Sequence, residues 1–242
     1  MTRGSIVDVL RLTPMQEGML FHALYDVDGP DVYMVQQVFD VAGPLDVERL
    51  RGAVQALVVR HPNLGVSFSQ VSDGQPVQVV PAEVCVPWSV VDLGGLGEDA
   101  ARVELERLGR REYGRRFDPA SGPLLRLMVV RLGRERHCLL LTSHHLLLDG
   151  WSTPIVAREL FALYAGAVLG RVTPFREFLG WLGRQDVRAA RGRGGGSLRG
   201  WTGRRGWWGW RRRGCRGCRG GWWWRRRRGC RVGWGCGRGS WG

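Results

Sequence analysis

The fold is decided by residues 142–152, which read Thr142-Ser143-His144-His145-Leu146-Leu147-Leu148-Asp149-Gly150-Trp151-Ser152. The apolar run Cys138–Leu141 before them is typical of a buried strand, and the Asp-Gly pair near their end is typical of a turn. Because successive side chains of a strand point to opposite faces, His144 and His145 cannot serve the same site. The pattern predicts one histidine facing a cavity and the other facing the packed interior, with Asp149 anchoring the loop that follows.

Two plainer interpretations of the histidine pair stay open. A histidine on an apolar strand is commonly a buried and hydrogen-bonded core residue. A metal site is the second interpretation, but no nearby Cys, His or carboxylate completes a zinc-like ligand set. The residue types alone therefore allow a structural, a metal-binding or a catalytic role for the histidine pair. The rest of the sequence is needed to choose among them.

Composition divides the chain into a body and a tail. Residues 1–190 contain 20 Arg against 22 acidic residues, which gives a net charge of −2, whereas residues 191–242 contain 16 Arg and no acidic residue. The near-neutral body lacks the excess of positive charge that is typical of nucleic-acid-binding proteins. No apolar run is long enough to span a bilayer and no signal-like segment follows Met1, so we expect a soluble, cytoplasmic protein without a membrane partner. Cys85 and Cys138 lie in apolar runs and are expected to be buried free thiols of a reducing compartment.

The first predicted helix begins after Thr13 and extends to about Tyr25. Thr13 and Gln16 have the spacing of a capping box, and Pro14 suits the first helical position. Its expected apolar face consists of Met15, Met19, Leu20 and Leu24.

Further elements follow from periodicity and from turn residues. A helix is predicted from Asp46 to Arg60, and it ends there because a residue before proline disfavours helix. Its expected buried stripe consists of Val47, Leu50, Val54, Leu57 and Val58. The remaining predictions are strands over 33–41, 85–91 and 124–132, a hairpin of 66–71 with 76–80, a strand carrying the two histidines, and helices over 98–113 and 153–168. This order favours an α/β sandwich with a mixed sheet.

The stretch from His144 to Gly150 resembles the HHxxxDG signature of the condensation domains of nonribosomal peptide synthetases. These are relatives of chloramphenicol acetyltransferase and other HxxxD acyltransferases. Four other segments resemble motifs of that family, in the family's order: residues 12–22, 60–68, 117–126 and 175–182. The first of them is closer to the LTPxQEGMLFH form, which resembles domains that accept a donor ending in a D-residue.

The resemblance covers roughly residues 8–188 and implies the first lobe of a two-lobed, chloramphenicol-acetyltransferase-like domain. It implies an N-terminal lobe over 1–173, a hinge helix that starts the second lobe over 174–190, and a tail over 191–242. One departure concerns the RHExLRTxF motif, in which Arg60, His61, Leu64 and Phe68 match but Gly65 occupies the position of the second arginine. If that arginine supports the fold or the Asp149 loop, this chain lacks the support.

The resemblance also implies a reaction and roles for named residues. An aminoacyl amine on a downstream carrier domain attacks the thioester carbonyl of a peptidyl group on an upstream carrier domain, and each group arrives on a phosphopantetheine arm. No cofactor is bound by the chain itself, and an adenylation domain is the expected neighbour. His145 is the expected general base or amine-orienting group, and His144 is assigned to packing. Asp149 is assigned to loop structure with Arg60 as its candidate partner, and Gly150 to an oxyanion contact.

The tail contains 18 Gly, 16 Arg, 9 Trp and 4 Cys in 52 residues, without aliphatic periodicity. Three interpretations compete: a single-stranded nucleic-acid binder, a metal knuckle built from Cys215, Cys218, Cys230 and Cys236, or GC-rich DNA read in a shifted frame. The chain contains no lysine, which fits a GC-rich coding sequence and favours the frameshift, with a disordered tail.

Alternatives to a working condensation domain are an inactive half-domain that lacks the second lobe, a coenzyme A-dependent acyltransferase, and a basic-tail nucleic-acid binder. The multi-motif match argues against the coenzyme A enzyme, and the neutral body argues against a nucleic-acid partner.

Overall fold

The computed structural model describes residues 5–25, 31–185, 221–225 and 231–235. The chain divides into two compact units, one formed by Met1–Val172 with Gly220–Gly242 and one by Thr173–Arg219. In the second unit, the described residues contain one helix, α5, over Phe175–Gly183, in which Phe178 contacts Phe175 and stacks on Trp181.

Helices and strands alternate along the first unit as the sequence predicts. The helices are α1 (Pro14–Tyr25), α2 (Val47–Arg60), α3 (Glu98–Gly114) and α4 (Ser152–Tyr164), with a 3-10 turn over Pro62–Gly65. The strands are β1 (Ile6–Arg11), β2 (Met34–Ala42), β3 (Ser67–Gln70), β4 (Pro76–Pro81), β5 (Trp88–Asp92), β6 (Leu125–Arg131), β7 (Arg136–His144), β8 (Gly221–Arg225) and β9 (Arg231–Gly235). The predicted α/β class is confirmed.

The strands form two sheets. The larger has the order β5-β6-β7-β2-β9-β8, in which β5 and β6 are parallel and every other pair is antiparallel, so it is the mixed sheet that we expected. The smaller is antiparallel with the order β1-β4-β3 and contains the predicted hairpin. Strand β1 was not predicted, because both of its faces are largely solvent-exposed and no apolar alternation marks it.

Helices cover both faces of the larger sheet. Odd-numbered residues of β6 and β7, such as Val129 and Leu139, pack with α2 and α4 in one core cluster. Even-numbered residues, such as Val130 and Leu140, pack with α3 in another. Strand β7 is buried from His137 to His144, since it is paired on both edges and covered on both faces.

The capping predictions are confirmed, and the predicted apolar face of α1 is confirmed in part, because Leu20 is buried and Met19 packs against the same core cluster. The Thr13 N–H donates to Gln16 Oε1 (3.0 Å), and the Gln16 N–H donates to Thr13 Oγ1 (3.2 Å), which is the reciprocal capping box. In α1, however, Gln16 and Leu20 are buried, whereas Met15 is 74% exposed and Leu24 48% exposed. Gln16 faces inward because its amide bonds buried groups of other elements. Helix α2 buries its whole predicted stripe and Ala53.

Two further expectations need correction. Helix α4 ends at Tyr164 and not near Val168, because Gly166 adopts a left-handed conformation (φ +79°) that terminates it. Cys138 is buried as expected, and burial raises the pKa of its thiol to about 12. Cys85 is exposed, since it precedes β5 in an irregular segment and not in a strand.

The tail was expected to lack regular structure, and ten of its residues form the strands β8 and β9, with β9 paired to the edge of β2. The rest of the tail lies outside the described residues, as do the four cysteines of the metal-knuckle interpretation. No helix in the described part of the chain is long and apolar enough to cross a membrane.

Gly65 occupies a position that has no room for a side chain. A Cβ built there would lie 2.2 Å from Cγ2 of Val84, well inside van der Waals contact. Any side chain at this position would therefore begin in space that Val84 occupies.

We expect Gly65→Ala to lower the free energy of unfolding by about 1–3 kcal/mol, because overpacking displaces Val84. Gly52→Ala is the matched control: it lies in α2 with open space around its Cβ and should stabilise the protein by about 0.5–1 kcal/mol. Urea unfolding measures both. Adding Val84→Ala to Gly65→Ala should recover part of the loss; an unchanged midpoint for Gly65→Ala alone would contradict the packing argument.

Candidate functional site

The end of β7 is fixed from both sides through the backbone of the two histidines. The His144 N–H donates to the carbonyl of Leu124 (3.1 Å), which leads into β6, and the His145 N–H donates to the carbonyl of Tyr33 (2.9 Å), which leads into β2. The histidines therefore stand at a strand end whose direction is set by both neighbours.

His144 is enclosed by the protein. Its side chain is 1% exposed, its Nδ1 accepts the Leu146 N–H (3.0 Å), and its Nε2 lies 3.2 Å from Oδ2 of Asp31. The Nε2 and Oδ2 atoms are close enough for an ion pair but are poorly aligned for a hydrogen bond. Burial lowers the pKa of His144, although the nearby Asp31 carboxylate opposes the shift. This environment agrees with the packing role assigned to His144.

His145 has the opposite environment. It is half-buried, and its Nδ1 lies 3.0 Å from the carbonyl oxygen of Leu148. Because a carbonyl can only accept, this contact assigns the proton of the neutral ring to Nδ1 and leaves the lone pair on Nε2. The structure thus encloses one histidine and leaves the other half-buried, and His145 is the first residue after β7 and not part of the strand as predicted.

Gln16 of α1 supports the turn that follows the histidines. Its Nε2 donates to the carbonyl of Leu146 (2.9 Å) and lies 3.2 Å from Oε1 of the buried Gln78. Sequence reasoning identified Gln16 only as a capping residue and missed this second role. A buried amide that also caps a helix ties α1 to the turn, which limits the motion of the segment that carries His145.

Asp149 builds the start of α4 with its carboxylate. Its Oδ1 accepts the N–H groups of Trp151 (3.1 Å) and Ser152 (2.7 Å), and its carbonyl accepts the Thr153 N–H (3.1 Å). These hydrogen bonds, with that of the Ser152 side chain foremost, lower the pKa of Asp149. The carboxylate also lies where the helix dipole favours negative charge. Its geometry is that of loop structure, as assigned from the sequence.

Arg60 is not the partner of Asp149, which corrects the sequence prediction. Its Nε bonds Oε2 of Glu159 (2.8 Å), an oxygen that also lies 2.7 Å from Nε2 of His61. Glu159 lies seven residues, or about 10 Å of helix rise, beyond the start of α4. Arg60 therefore joins the end of α2 to the middle of α4. Asp149 is exposed and accepts hydrogen bonds from backbone N–H groups, and none of the described residues pairs a cation with it.

Gly150 and Trp151 form the exposed part of the site. The N–H of Gly150 donates to no described residue, and a Cβ at Gly150 would meet open space. Trp151 is 86% exposed. Within residues 5–25 and 31–185, no three His, Cys, Asp or Glu side chains lie together as a metal site would require.

Comparison with known proteins gives a family match over most of the chain. The model of the condensation domain matches residues 6–191. A linear gramicidin synthase from Brevibacillus parabrevis is 36% identical over 197 residues, covering 79% of this chain and 4% of the relative. Chondramide synthase cmdD from Chondromyces crocatus is 32% identical, covering 78% of this chain and 6% of the relative.

Solved structures show the same fold. The starter condensation domain of rhizomide synthetase RzmA superposes with a TM-score of 0.64 at 19% identity, covering 77% of this chain and 48% of that chain. The first condensation domain of the calcium-dependent antibiotic synthetase, in complex with a substrate analogue, superposes with a TM-score of 0.61 at 23% identity, covering 69% and 40%. This chain therefore spans less than half of these solved chains and a few per cent of the curated relatives.

We expect Asp149→Ala to lower the free energy of unfolding by about 1 kcal/mol, because the N–H groups at the start of α4 lose their acceptor. Asp149→Asn keeps an oxygen at the same place and should lose only about 0.3 kcal/mol, the part due to the helix dipole. Thermal unfolding of both variants checks the role. Equal losses in the two would indicate that charge, and not the acceptor, is the main contribution.

A second prediction concerns pH. Burial raises the pKa of Glu159, but the hydrogen bonds from Arg60 and His61 outweigh it, and the pKa is lowered overall. The stability that the ionised Glu159 contributes is therefore present above the ordinary glutamate pKa of about 4.3. It is lost as the pH falls through the lowered pKa of Glu159. Glu159→Gln should cost about 1–3 kcal/mol at pH 7 and progressively less below pH 4. Urea unfolding at several pH values measures this, with the exposed Glu83→Gln as the control; identical pH profiles for the two variants would contradict it.

Proposed function

Because this chain belongs to the condensation-domain family, we propose that it contributes the histidine lobe for amide-bond formation between two thioester-bound substrates. The acceptor's amine attacks the donor's thioester carbonyl, a C–N bond forms and the C–S bond breaks. The amine loses one proton and the departing thiolate gains one, so the step needs no further reactant.

The observation that carries the proposal is the state of the His145 ring. The Leu148 carbonyl holds Nδ1–H, so Nε2 presents a lone pair, and no described residue bonds to it. An amine must lose a proton as it attacks, and an oriented imidazole nitrogen can accept that proton or align the amine. His144 is excluded from this role because its side chain is enclosed.

Two neighbouring groups complete the proposed site. The unengaged N–H of Gly150 is the candidate donor to the negative charge that develops on the thioester oxygen. Asp149 holds the turn between His145 and α4 and takes no part in proton transfer. In the proposal, this turn sets the distance between the amine's proton acceptor and the oxyanion donor.

The substrates arrive on partner proteins. The donor and the acceptor are carried as phosphopantetheinyl thioesters on upstream and downstream peptidyl carrier domains, with an adenylation domain adjacent in the synthetase. The chain itself contributes side chains and backbone and no bound cofactor. The proposal places it in the cytoplasm with these partners. Its support is the similarity of residues 6–191 to the condensation domain and to the synthetases named above.

We expect His145→Ala to reduce the rate of amide formation by about 10²–10⁴-fold, the contribution typical of general acid–base catalysis. The assay uses the full chain with a panel of aminoacyl thioesters of N-acetylcysteamine as donors and acceptors, and mass spectrometry detects the amide product. His145→Ala should lower the melting temperature only slightly, because the ring is half-buried and its hydrogen bond to the Leu148 carbonyl is lost. His144→Ala should lower it further, because an enclosed ring is lost.

Two outcomes would overturn the proposal. If the wild-type chain forms no amide product with any member of the panel, this chain does not carry the activity by itself, as the half-domain alternative requires. If His145→Ala retains the wild-type rate, the reaction proceeds without the imidazole and its role is refuted.

A further inference from the structure

Asp31 is a buried carboxylate shortly before β2, and one of its oxygens lies beside the His144 ring. Its side chain is 4% exposed. Oδ1 accepts the N–H of Tyr33 (3.0 Å), and Oδ2 lies 3.2 Å from Nε2 of His144. Its carbonyl accepts the N–H of Met34 (3.2 Å), which closes a turn at the start of β2. No sequence motif includes Asp31, and no role was predicted for it.

The turn built by Asp31 presents a hydrogen-bond acceptor to His145. The carbonyl of Tyr33 accepts the His145 N–H (2.9 Å), one step beyond the last β2–β7 register pair of Met34 with His144. The Tyr33 ring also contacts the His144 ring, with centroids 6.0 Å apart. One carboxylate therefore acts on both histidines, on His144 through its ring and on His145 through the Tyr33 backbone.

The buried position of the Asp31 carboxylate requires an explanation. An ionised carboxylate is unfavourable in the interior unless hydrogen bonds or opposite charge compensate it. The hydrogen bond shown here comes from the Tyr33 N–H, and the His144 Nε2 lies 3.2 Å from the other oxygen. The other titratable groups that act on His144 are His145 and Arg116, and positive charge on either of them disfavours protonation of His144. Asp31 is the acidic group among those that act on His144, and it opposes the lowering of the His144 pKa by burial.

We propose that Asp31 is a positioning residue that fixes the backbone of His145 through the Tyr33 turn and, with its second oxygen, holds a negative charge beside the His144 ring. The importance of Asp31 to catalysis rests on the proposed function, but its two contacts can be measured without any substrate. The proposal assigns the orientation of the working histidine to a residue more than a hundred positions away in the sequence.

Two substitutions separate the two contacts. Asp31→Ala removes both oxygens, whereas Asp31→Asn keeps an oxygen that can accept the Tyr33 N–H and removes the charge beside His144. Asp73→Ala and Asp73→Asn are the matched controls, because Oδ1 of Asp73 accepts the N–H of Gln75 two residues on (3.0 Å), the same local contact on an exposed hairpin turn.

Amide hydrogen exchange, followed by NMR on the full chain, tests the backbone contact. In Asp31→Ala, the exchange rate of the His145 amide should rise at least tenfold relative to that of Leu139 in the middle of β7. In Asp31→Asn and in both Asp73 variants the ratio should stay near the wild-type value. An unchanged ratio in Asp31→Ala, or an equal rise at both amides, would overturn the proposal, because general destabilisation moves both amides together.

Histidine ring NMR tests the second contact. In Asp31→Asn, the pH at which the His144 ring titrates should fall, since a negative group favouring its protonation is lost, and in Asp73→Asn it should not change. An unchanged His144 titration in Asp31→Asn would overturn the assignment. These readouts need no substrate, so a wild-type chain without condensation activity would refute the proposed function while leaving the positioning result intact.

Discussion

The histidine site depends on one constraint: strand β7 must be hydrogen-bonded on both edges and covered on both faces. Buried N–H and C=O groups need partners, and β2 and β6 supply them over the length of β7. Helices α2 and α4 cover one face and α3 the other. The last hydrogen bonds of these two ladders involve the backbone of His144 and His145. The backbone of the site is therefore held by the central strands of the sheet.

Local sequence patterns were sufficient to predict much of this architecture. The apolar stripe and the Asp46 cap of α2, the β3–β4 hairpin and the β6–β7 pair all follow from periodicity and turn residues within a few positions of each other. Different environments for His144 and His145 were also expected from strand alternation, although β7 ends at His144 and His145 is the first residue of the turn. The capping box of α1 was predictable for the same reason, since both of its hydrogen bonds are local.

Contacts between residues that are far apart in the sequence were not predictable from local patterns. The helical period places Met15 and Leu24 on an apolar face but does not reveal that nothing in the described chain covers them. The partner of Arg60 depends on how α2 packs on α4, and that packing brings Glu159 to it in place of Asp149. Asp31 and Gln16 act on the site through contacts more than a hundred residues away in sequence, and no short motif marks such pairs.

The strand pairing around β7 also restricts how the length of the chain can vary. Met34 lies opposite His144 and Ala42 opposite Arg136, without a bulge between them. Removing or adding one residue in this segment would invert every side chain beyond it, which would bring His145 inward and His144 outward. Residues 133–135 lie at the tip of the hairpin, outside both ladders, where extra residues leave that alignment intact. Extra or missing residues are therefore compatible with the fold at this tip, but between Arg136 and His145 the number of residues itself determines the placement of the two histidines.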